Sequence, residues 1–164
     1  MQQSSVSLKA IFPGTFDPPT YGHISMIKRA LGIFGEVIVG VSLLNGKDEL
    51  LTIIERVELL KELFKDSSNV KVIGFKGLLV NLAKDLGISV IVRGIRTVAD
   101  FEYEYRMAIT NSVILPGIET VFLMSEPEYN YVSSTLVKQI AREGGNITPF
   151  VHSIVEDVIR KAIK

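Results

Sequence analysis

The sequence predicts a single domain of the α/β class, built on a five-stranded, doubly wound parallel sheet with helices on both faces. Five short apolar runs alternate with segments of helical periodicity along the chain. The length of 164 residues suits one domain of ordinary size. The composition is 47% hydrophobic, and 18 basic residues balance 18 acidic ones, which excludes a disordered chain.

The predicted strands are apolar, largely β-branched runs that end at glycine, proline or polar residues, and they cover residues 8–12, 36–44, 70–73, 88–92 and 120–124. Apolar residues at spacings of three and four predict helices over about 20–34, 52–65, 78–86 and 99–115. Two more helices follow, one opening at Ser133 and Ser134 and one covering about 152–163. Right-handed crossovers between such strands give a Rossmann-like sheet with C-terminal helices.

The whole chain, residues 1–164, is interpreted as one domain, with residues 1–7 as a flexible N-terminus. The absence of cysteine excludes disulfides and thiolate metal sites, and two histidines argue against a histidine-rich zinc site. No signal-peptide pattern and no run of ~18 apolar residues is found, so a cytoplasmic protein is expected. The balanced charge gives no indication of nucleic-acid or membrane partners.

Ligands of such sheets bind beyond the carboxyl ends of the strands, so the loops there are the candidate site. The first loop, PGTFDPPTYGH at 13–23, places Thr20, Gly22 and His23 at a helix start, where free N–H groups favour an anion. Thr20 as an ordinary N-cap and His23 as a packing residue remain the alternatives. The GxGxxG fingerprint and the P-loop are both absent.

Cations follow two other predicted strands. Arg93 and Arg96 flank a glycine directly after a buried strand, where a carboxylate such as Asp100 or Glu102, or the oxygens of a phosphate, would have to meet them. Lys47 follows the second strand, and by itself it would be an ordinary surface charge.

The last loop carries three consecutive hydroxyl residues, SST at 133–135, where one N-cap would suffice. With the free N–H groups of the helix that follows and Lys138 near its first turn, the segment is interpreted as a second anion cradle, suited to a polyphosphate.

Three motifs, in order along the chain, resemble those of a known family. PGTFDPPTYGH at 13–23 resembles the T/HxGH motif of the nucleotidylyltransferase superfamily, and VSSTLVK at 132–138 resembles its ISSTxxR motif. RGIRTVADFEYE at 93–104 is similar above all to one family in it, the phosphopantetheine adenylyltransferases. The resemblance runs from about residue 9 to the C-terminus.

The resemblance implies transfer of AMP from ATP to 4′-phosphopantetheine, giving dephospho-coenzyme A and pyrophosphate, with Mg²⁺. It implies direct in-line attack of the acceptor phosphate on the α-phosphate of ATP, without a covalent enzyme intermediate. A cytoplasmic homohexamer and inhibition by coenzyme A are also implied. Two alternatives stay open: a related transferase with another phosphorylated acceptor, such as nicotinamide mononucleotide, and a non-catalytic nucleotide-binding regulator.

The resemblance also implies roles for individual residues. His23 would stabilise the transition state, and Lys47 and Arg96 would share the charge of the reacting phosphates. The acceptor would be held by Thr15, Lys47, Leu79 and Arg93. The ATP-binding residues would be Thr15, Phe16, His23, Gly94, Ile95, Arg96, Glu104, Tyr129, Asn130, Tyr131, Val132, Ser133, Ser134 and Thr135. No residue is assigned as a metal ligand.

Overall fold

The computed structural model describes residues 8–43 and 48–163, and within them strands and helices alternate. The strands are β1 (Lys9–Gly14), β2 (Glu36–Ser42), β3 (Val70–Phe75), β4 (Val90–Ile95) and β5 (Glu119–Met124). The α-helices are α1 (Tyr21–Phe34), α2 (Ile53–Leu63), α3 (Leu79–Leu86), α4 (Val98–Ile114), α5 (Ser134–Arg142) and α6 (Ser153–Ala162), with a 3₁₀ turn at Pro127–Tyr129. Among the described helices, none has the length and apolar character that crossing a membrane requires.

All strand pairs in the described sheet are parallel, and their order is β3-β2-β1-β4-β5. The chain runs outward from β1 through β2 to β3, and then returns to the other side of β1 to add β4 and β5. The order therefore reverses between β1 and β4, which is where sheets of this class bind their ligands. The predicted five-stranded, doubly wound sheet is confirmed.

The core lies on both faces of the sheet because successive strand residues point to opposite sides. On one face, Phe12 and Val39 pack with residues of α1 and α2 such as Ile27 and Leu60. On the other face, Ile11, Ile38 and Ile91 pack with Ala83 of α3. A third buried cluster joins α5 and α6 and includes Val137, Val155 and Ile159. The helix after β1 and the helix after Ser133 are thus both fixed by buried residues.

Three strands, β1, β3 and β4, extend beyond their predicted ends, and one extension changes the environment of a site residue. β4 continues through Arg93 and Gly94 to Ile95, because these residues pair with Phe122, Leu123 and Met124 of β5. Arg93 was expected in the loop after this strand, whereas it lies within it; a charged side chain does not prevent backbone pairing at the end of a strand. Residues 1–7, expected to be flexible, and Lys47 lie outside the described part of the chain.

Candidate active site

A cavity of ≈ 480 Å³ opens at the carboxyl ends of β1 and β4, and it contains most of the residues predicted for the site. Its lining includes Thr15, His23, Leu79, Arg93, Gly94, Arg96, Glu104, Tyr129, Val132, Ser133, Ser134 and Thr135. Four predicted residues, Phe16, Ile95, Asn130 and Tyr131, do not line it. A volume of this size is in the range of small-molecule and cofactor sites.

The first wall of the cavity is the N-terminus of α1. Thr20 caps the helix, with its side chain accepting from the main-chain N–H of His23, and the Thr20 N–H donates to Nδ1 of His23 at 3.0 Å. Since a main-chain N–H can only donate, Nδ1 is the acceptor and the proton of the neutral ring lies on Nε2. The predicted cap and the predicted site histidine are therefore parts of one hydrogen-bonded unit.

The environment of His23 keeps its imidazole neutral. Burial of the ring, followed by the positive charges of Arg96 and Arg93, lowers the pKa of His23 from 6.5 to about 4. The ring of Phe16 packs edge-on against it, with ring centroids 5.0 Å apart. At neutral pH His23 is thus an uncharged donor held in one orientation next to two cations.

Phe16 packs behind the cavity wall and does not line the cavity. Its ring is fully buried, and its φ of 52° lies in the left-handed region that L side chains rarely adopt. A Cβ on Gly14 would lie 2.9 Å from the ring of Phe16, so glycine is required where the loop turns over it. The ring of Phe16 is absent from the cavity lining because it belongs to the core, and the role of Phe16 in ATP binding stays a prediction.

Arg93 joins β4 to β1 and α4. Its Nε and Nη2 donate to the two carboxylate oxygens of Glu104 at 2.8 and 2.5 Å, and Nη1 donates to the carbonyl oxygen of Pro13 at 2.5 Å. A bidentate carboxylate fixes the plane of the guanidinium. Glu104, expected beside the nucleotide, is buried and is the carboxylate partner of Arg93, although it also lines the cavity.

Arg96 has a carboxylate partner of its own. Its Nε donates to Asp100 Oδ2 at 3.1 Å, and its Nη1 donates to the carbonyl oxygen of Val132 at 3.1 Å, which connects the end of β4 to the segment before α5. Of the two carboxylates considered for the arginines, Asp100 meets Arg96, whereas Glu102 is exposed on α4. Both arginines are therefore oriented by carboxylates within the cavity wall.

The three hydroxyl residues before α5 have three different contacts. Ser133 caps the helix by accepting from the N–H of Leu136 at 3.1 Å, and Ser134 Oγ donates to the carbonyl oxygen of Pro18 at 2.8 Å. Thr135 is exposed at the cavity. A second helix N-terminus thus meets the same cavity as α1, as the anion cradle requires.

Lys138 is not part of that cradle, which corrects the sequence interpretation. It is 6% exposed, and its Nζ lies 3.2 Å from Asp17 Oδ2 and 3.1 Å from Asp48 Oδ2. Asp17 is itself buried and also accepts from the N–H groups of Leu50 and Leu51. Lys138 lies one turn after the start of α5, on the face of the helix that packs against the core. Its ammonium group therefore neutralises a buried carboxylate.

Sequence reasoning missed Arg56, which is fully buried beside the first loop. Its signal was present: Arg56 occupies a position on the apolar face of α2, between Ile53 and Leu60, where a charged residue needs buried partners. Tyr131 and Asn130, in contrast, were predicted for the site and do not line the cavity; Tyr131 is 62% exposed and packs against Phe150.

Within residues 8–43 and 48–163, no group of three or more histidine and acidic side chains is placed to hold a metal ion. The chemical character of the cavity comes from two helix N-termini, two oriented arginines and a neutral histidine. Such a combination binds several phosphate groups at once, and it can donate to oxygens on which negative charge develops.

Comparison with known proteins agrees with this class of site. The sequence model of the family described as cytidylyltransferase-like matches residues 11–140. A solved structure from Vibrio parahaemolyticus, whose name proposes a nicotinate-nucleotide adenylyltransferase, superposes with a TM-score of 0.70 at 21% identity and covers 94% of this chain and 93% of its own. This likeness concerns the fold alone.

Two curated relatives specify the family. A phosphopantetheine adenylyltransferase of Caldanaerobacter subterraneus subsp. tengcongensis is 50% identical over 155 residues, which are 94% of this chain and 97% of the relative. One of Nitrosospira multiformis is 47% identical over 147 residues, or 90% and 89% of the two chains. The chain belongs to the phosphopantetheine adenylyltransferase family of nucleotidyltransferases.

Proposed function

We propose that this chain transfers AMP from ATP to 4′-phosphopantetheine, giving dephospho-coenzyme A and pyrophosphate in coenzyme A biosynthesis. The observation that carries the proposal is the convergence of two helix N-termini and two arginines on one cavity at the point where the strand order reverses. The relatives' name supplies the acceptor, and their similarity extends over nearly the whole chain.

The proposed reaction is a single displacement. An oxygen of the acceptor's 4′-phosphate attacks the α-phosphorus of ATP, and a new P–O bond forms. The bond from the α-phosphorus to the α–β bridging oxygen breaks, and pyrophosphate leaves with the electron pair. A phosphate monoester is already ionised at neutral pH, so the step needs no general base and no covalent enzyme intermediate, and positioning and charge neutralisation suffice.

His23 is proposed to stabilise the transition state as a neutral donor. Its Nδ1 accepts from Thr20, so Nε2–H is the group left for a phosphate oxygen. A donor that is fixed before substrate arrives costs no reorganisation when negative charge builds up on the reacting phosphate. The lowered pKa keeps the ring in this form across the neutral range.

Arg93 and Arg96 are proposed to share the negative charge of the phosphates. A guanidinium has five N–H donors, and Arg93 uses three of them on Glu104 and Pro13. The carboxylates thus orient the arginines and leave donors for phosphate oxygens. Lys47, also proposed for this role, lies outside the described residues, so its assignment rests on the resemblance.

The two substrates are proposed to occupy opposite ends of the cavity. Tyr129 and residues 132–135 at the N-terminus of α5 would hold the nucleotide, and Thr15 and Leu79 would hold the acceptor; all of them line the cavity. Phe75, which also lines the cavity, would add apolar surface for the aliphatic parts of the pantetheine arm. For the buried Phe16 and Ile95, we propose that only the main chain contacts ATP.

Mg²⁺ is proposed to enter with ATP, bound to its phosphate oxygens. The described residues do not fit a protein-built site for this ion, because they offer no acidic cluster that could surround it. Mg²⁺ is therefore treated as part of the nucleotide substrate, and the proposed steps of the protein's own residues do not depend on it.

A homo-oligomer is proposed because α4 exposes a continuous apolar stripe. Phe101, Tyr105, Ile109 and Val113 recur at intervals of four and are all exposed in the single chain. A stripe of this kind marks an interaction surface, and a second copy of the chain is the proposed partner. The hexamer is an expectation of the resemblance, and light scattering of the purified protein would give the number of subunits.

Inhibition by coenzyme A and a cytoplasmic location complete the proposal. Coenzyme A contains the same pantetheine arm and adenosine as the product, so it would occupy the same cavity and compete with both substrates. Competition would appear in initial rates as a rise in the apparent KM for the acceptor with increasing coenzyme A.

The test is pyrophosphate release from ATP with four additions: no acceptor, pantetheine, 4′-phosphopantetheine and nicotinamide mononucleotide. Of the four additions, only 4′-phosphopantetheine is expected to cause pyrophosphate release, since pantetheine lacks the ionised nucleophile. Lys47→Ala should raise the KM for this acceptor about ten- to one-hundred-fold and leave that for ATP nearly unchanged. Faster pyrophosphate release with nicotinamide mononucleotide would mean that the protein uses another acceptor. ATP binding without pyrophosphate release under any addition would indicate a non-catalytic nucleotide-binding regulator.

A further inference from the structure

Arg56 is a fully buried charge to which the proposed reaction gives no role. It lies in the first turn of α2, and its guanidinium donates to four acceptors. Nε donates to the carbonyl oxygen of Leu51 at 2.9 Å, and Nη2 to Glu49 Oε1 at 2.6 Å. Nη1 donates to the carbonyl oxygens of Thr15 at 2.7 Å and Ser42 at 2.9 Å. A charge with no access to water needs such a complete set of acceptors.

The two acceptors of Nη1 stand at the carboxyl ends of neighbouring strands. Thr15 follows β1 directly, and Ser42 ends β2. Both residues line the cavity. Arg56 therefore fixes the spacing of two strand ends at the rim of the site, from a position behind the cavity wall.

Thr15 is the member of this group that faces substrate. It is exposed, whereas the residues that follow it, Phe16 and Asp17, are buried and fixed by the core and by the N–H groups of Leu50 and Leu51. The main-chain carbonyl of Thr15 accepts directly from Arg56. That contact fixes the peptide group after Thr15, and with it the main-chain position from which the Thr15 side chain starts.

We propose that Arg56 is a positioning residue that acts through Thr15: by holding the Thr15 carbonyl, it sets where the hydroxyl of Thr15 meets the phosphate of the acceptor. The proposal rests on the proposed function, in which Thr15 contacts 4′-phosphopantetheine. Lysine could not replace Arg56, since one ammonium on a flexible stem cannot reproduce a planar fork that reaches four acceptors.

A double-mutant cycle tests whether Arg56 acts through Thr15. The variants are Arg56→Lys, Thr15→Ala and the double variant, and the measurements are kcat, the KM for each substrate and the Tm. Arg56→Lys is expected to raise the acceptor KM about tenfold, more than the KM for ATP. In the Thr15→Ala background, Arg56→Lys should still lower the Tm and yet cause no further loss of kcat/KM.

Two more variants separate positioning from stability. Glu49→Gln keeps the shape of the partner and removes its charge, and it should raise the acceptor KM about threefold with a smaller effect on folding. If Arg56→Lys does not fold, Glu49→Gln still tests the proposal. Val155→Ala, in the buried contact between α5 and α6, is the matched control: it should lower the Tm without changing either KM.

The measurements distinguish a positioning role of Arg56 from a purely structural one. Unchanged acceptor KM in both Arg56→Lys and Glu49→Gln, with a lowered Tm, would make Arg56 a purely structural residue and overturn the proposal. Additive losses of kcat/KM in the cycle would also overturn it, because Arg56 would then act elsewhere than on Thr15. A wild-type protein without transfer to 4′-phosphopantetheine would overturn the proposed function itself, and the positioning role with it.

Discussion

The main-chain N–H of Thr20 donates to Nδ1 of His23 at 3.0 Å, and this contact leaves the ring proton on Nε2. The same threonine caps α1 through its side chain. Helix capping and the orientation of the imidazole are therefore one structural feature, in which the first turn of α1 presents a neutral donor to the cavity.

His23→Ala is expected to lower kcat at least one-hundred-fold, equivalent to ~2.7 kcal/mol, with little change in the KM for ATP. A donor that acts mainly in the transition state has this effect, since substrate binding does not depend on it. Steady-state kinetics with both substrates would measure it, and His152→Ala, at an exposed histidine, is the control. Near-normal turnover of His23→Ala would make His23 a packing residue.

Acidification should destabilise the protein through His23. Its pKa is about 4 in the folded state and near 6.5 in the unfolded state, so the unfolded chain binds the additional proton as the pH falls below about 6.5. The contribution of His23 to the free energy of unfolding is fully present above about pH 6.5 and is lost progressively towards pH 4. Between pH 7 and pH 5 the loss from this group is about 2 kcal/mol.

Urea unfolding at the two pH values would measure this effect. His23→Gln should show a smaller loss between pH 7 and pH 5 than the wild type, because glutamine does not titrate. His152→Gln should retain the wild-type difference. An equal pH dependence in all three proteins would contradict the assignment of this loss to His23.

The fold could be predicted from the sequence because its signal is local. The runs at 36–44 and 88–92 alternate with helical periodicity, and the structure places strands and helices where these patterns predict them. No strand order was predicted, because the right-handed crossover rule fixes the hand of each connection and not which strands are neighbours. Most of the residues predicted for the site line one cavity, because parallel strands bring their carboxyl ends to one edge.

Other contacts that hold the site could not be predicted, because they join residues distant in sequence. Arg93 bonds Glu104, which lies 11 positions away and one turn beyond Asp100 on α4. Lys138 bonds Asp17, 121 positions away. No spacing rule connects such pairs. A charged residue on an apolar helix face, such as Arg56, shows only that a buried partner exists.

Lys138→Met should destabilise the fold and leave nucleotide binding unchanged. The substitution leaves the buried carboxylate of Asp17 without its nearby cation, and breaking a buried ion pair in this way costs about 3 kcal/mol. Thermal unfolding and calorimetry with ATP would measure the two effects, with Lys84→Met, at an exposed lysine, as the control. Weaker ATP binding at unchanged Tm would mean that Lys138 does belong to the anion cradle.

The hydroxyl residues before α5 should separate into a structural and a binding contribution. Ser134 Oγ donates to the carbonyl oxygen of Pro18, which connects α5 to the first loop, so Ser134→Ala should cost about 1 kcal/mol of stability as well as weaken ATP and pyrophosphate binding. Thr135 is exposed at the cavity. Thr135→Ala should therefore weaken the binding of both ligands about three- to tenfold with little change in stability.

Thr135→Ser is the matched variant, because it retains the hydroxyl and removes only the methyl group. Its affinity for ATP and pyrophosphate, measured by calorimetry, should stay close to that of the wild type, whereas that of Thr135→Ala falls. If both variants lose affinity equally, the methyl group and not the hydroxyl carries the effect. If neither variant loses affinity, the free N–H groups of α5 bind the phosphates without Thr135, and the side chain contributes nothing to the polyphosphate site.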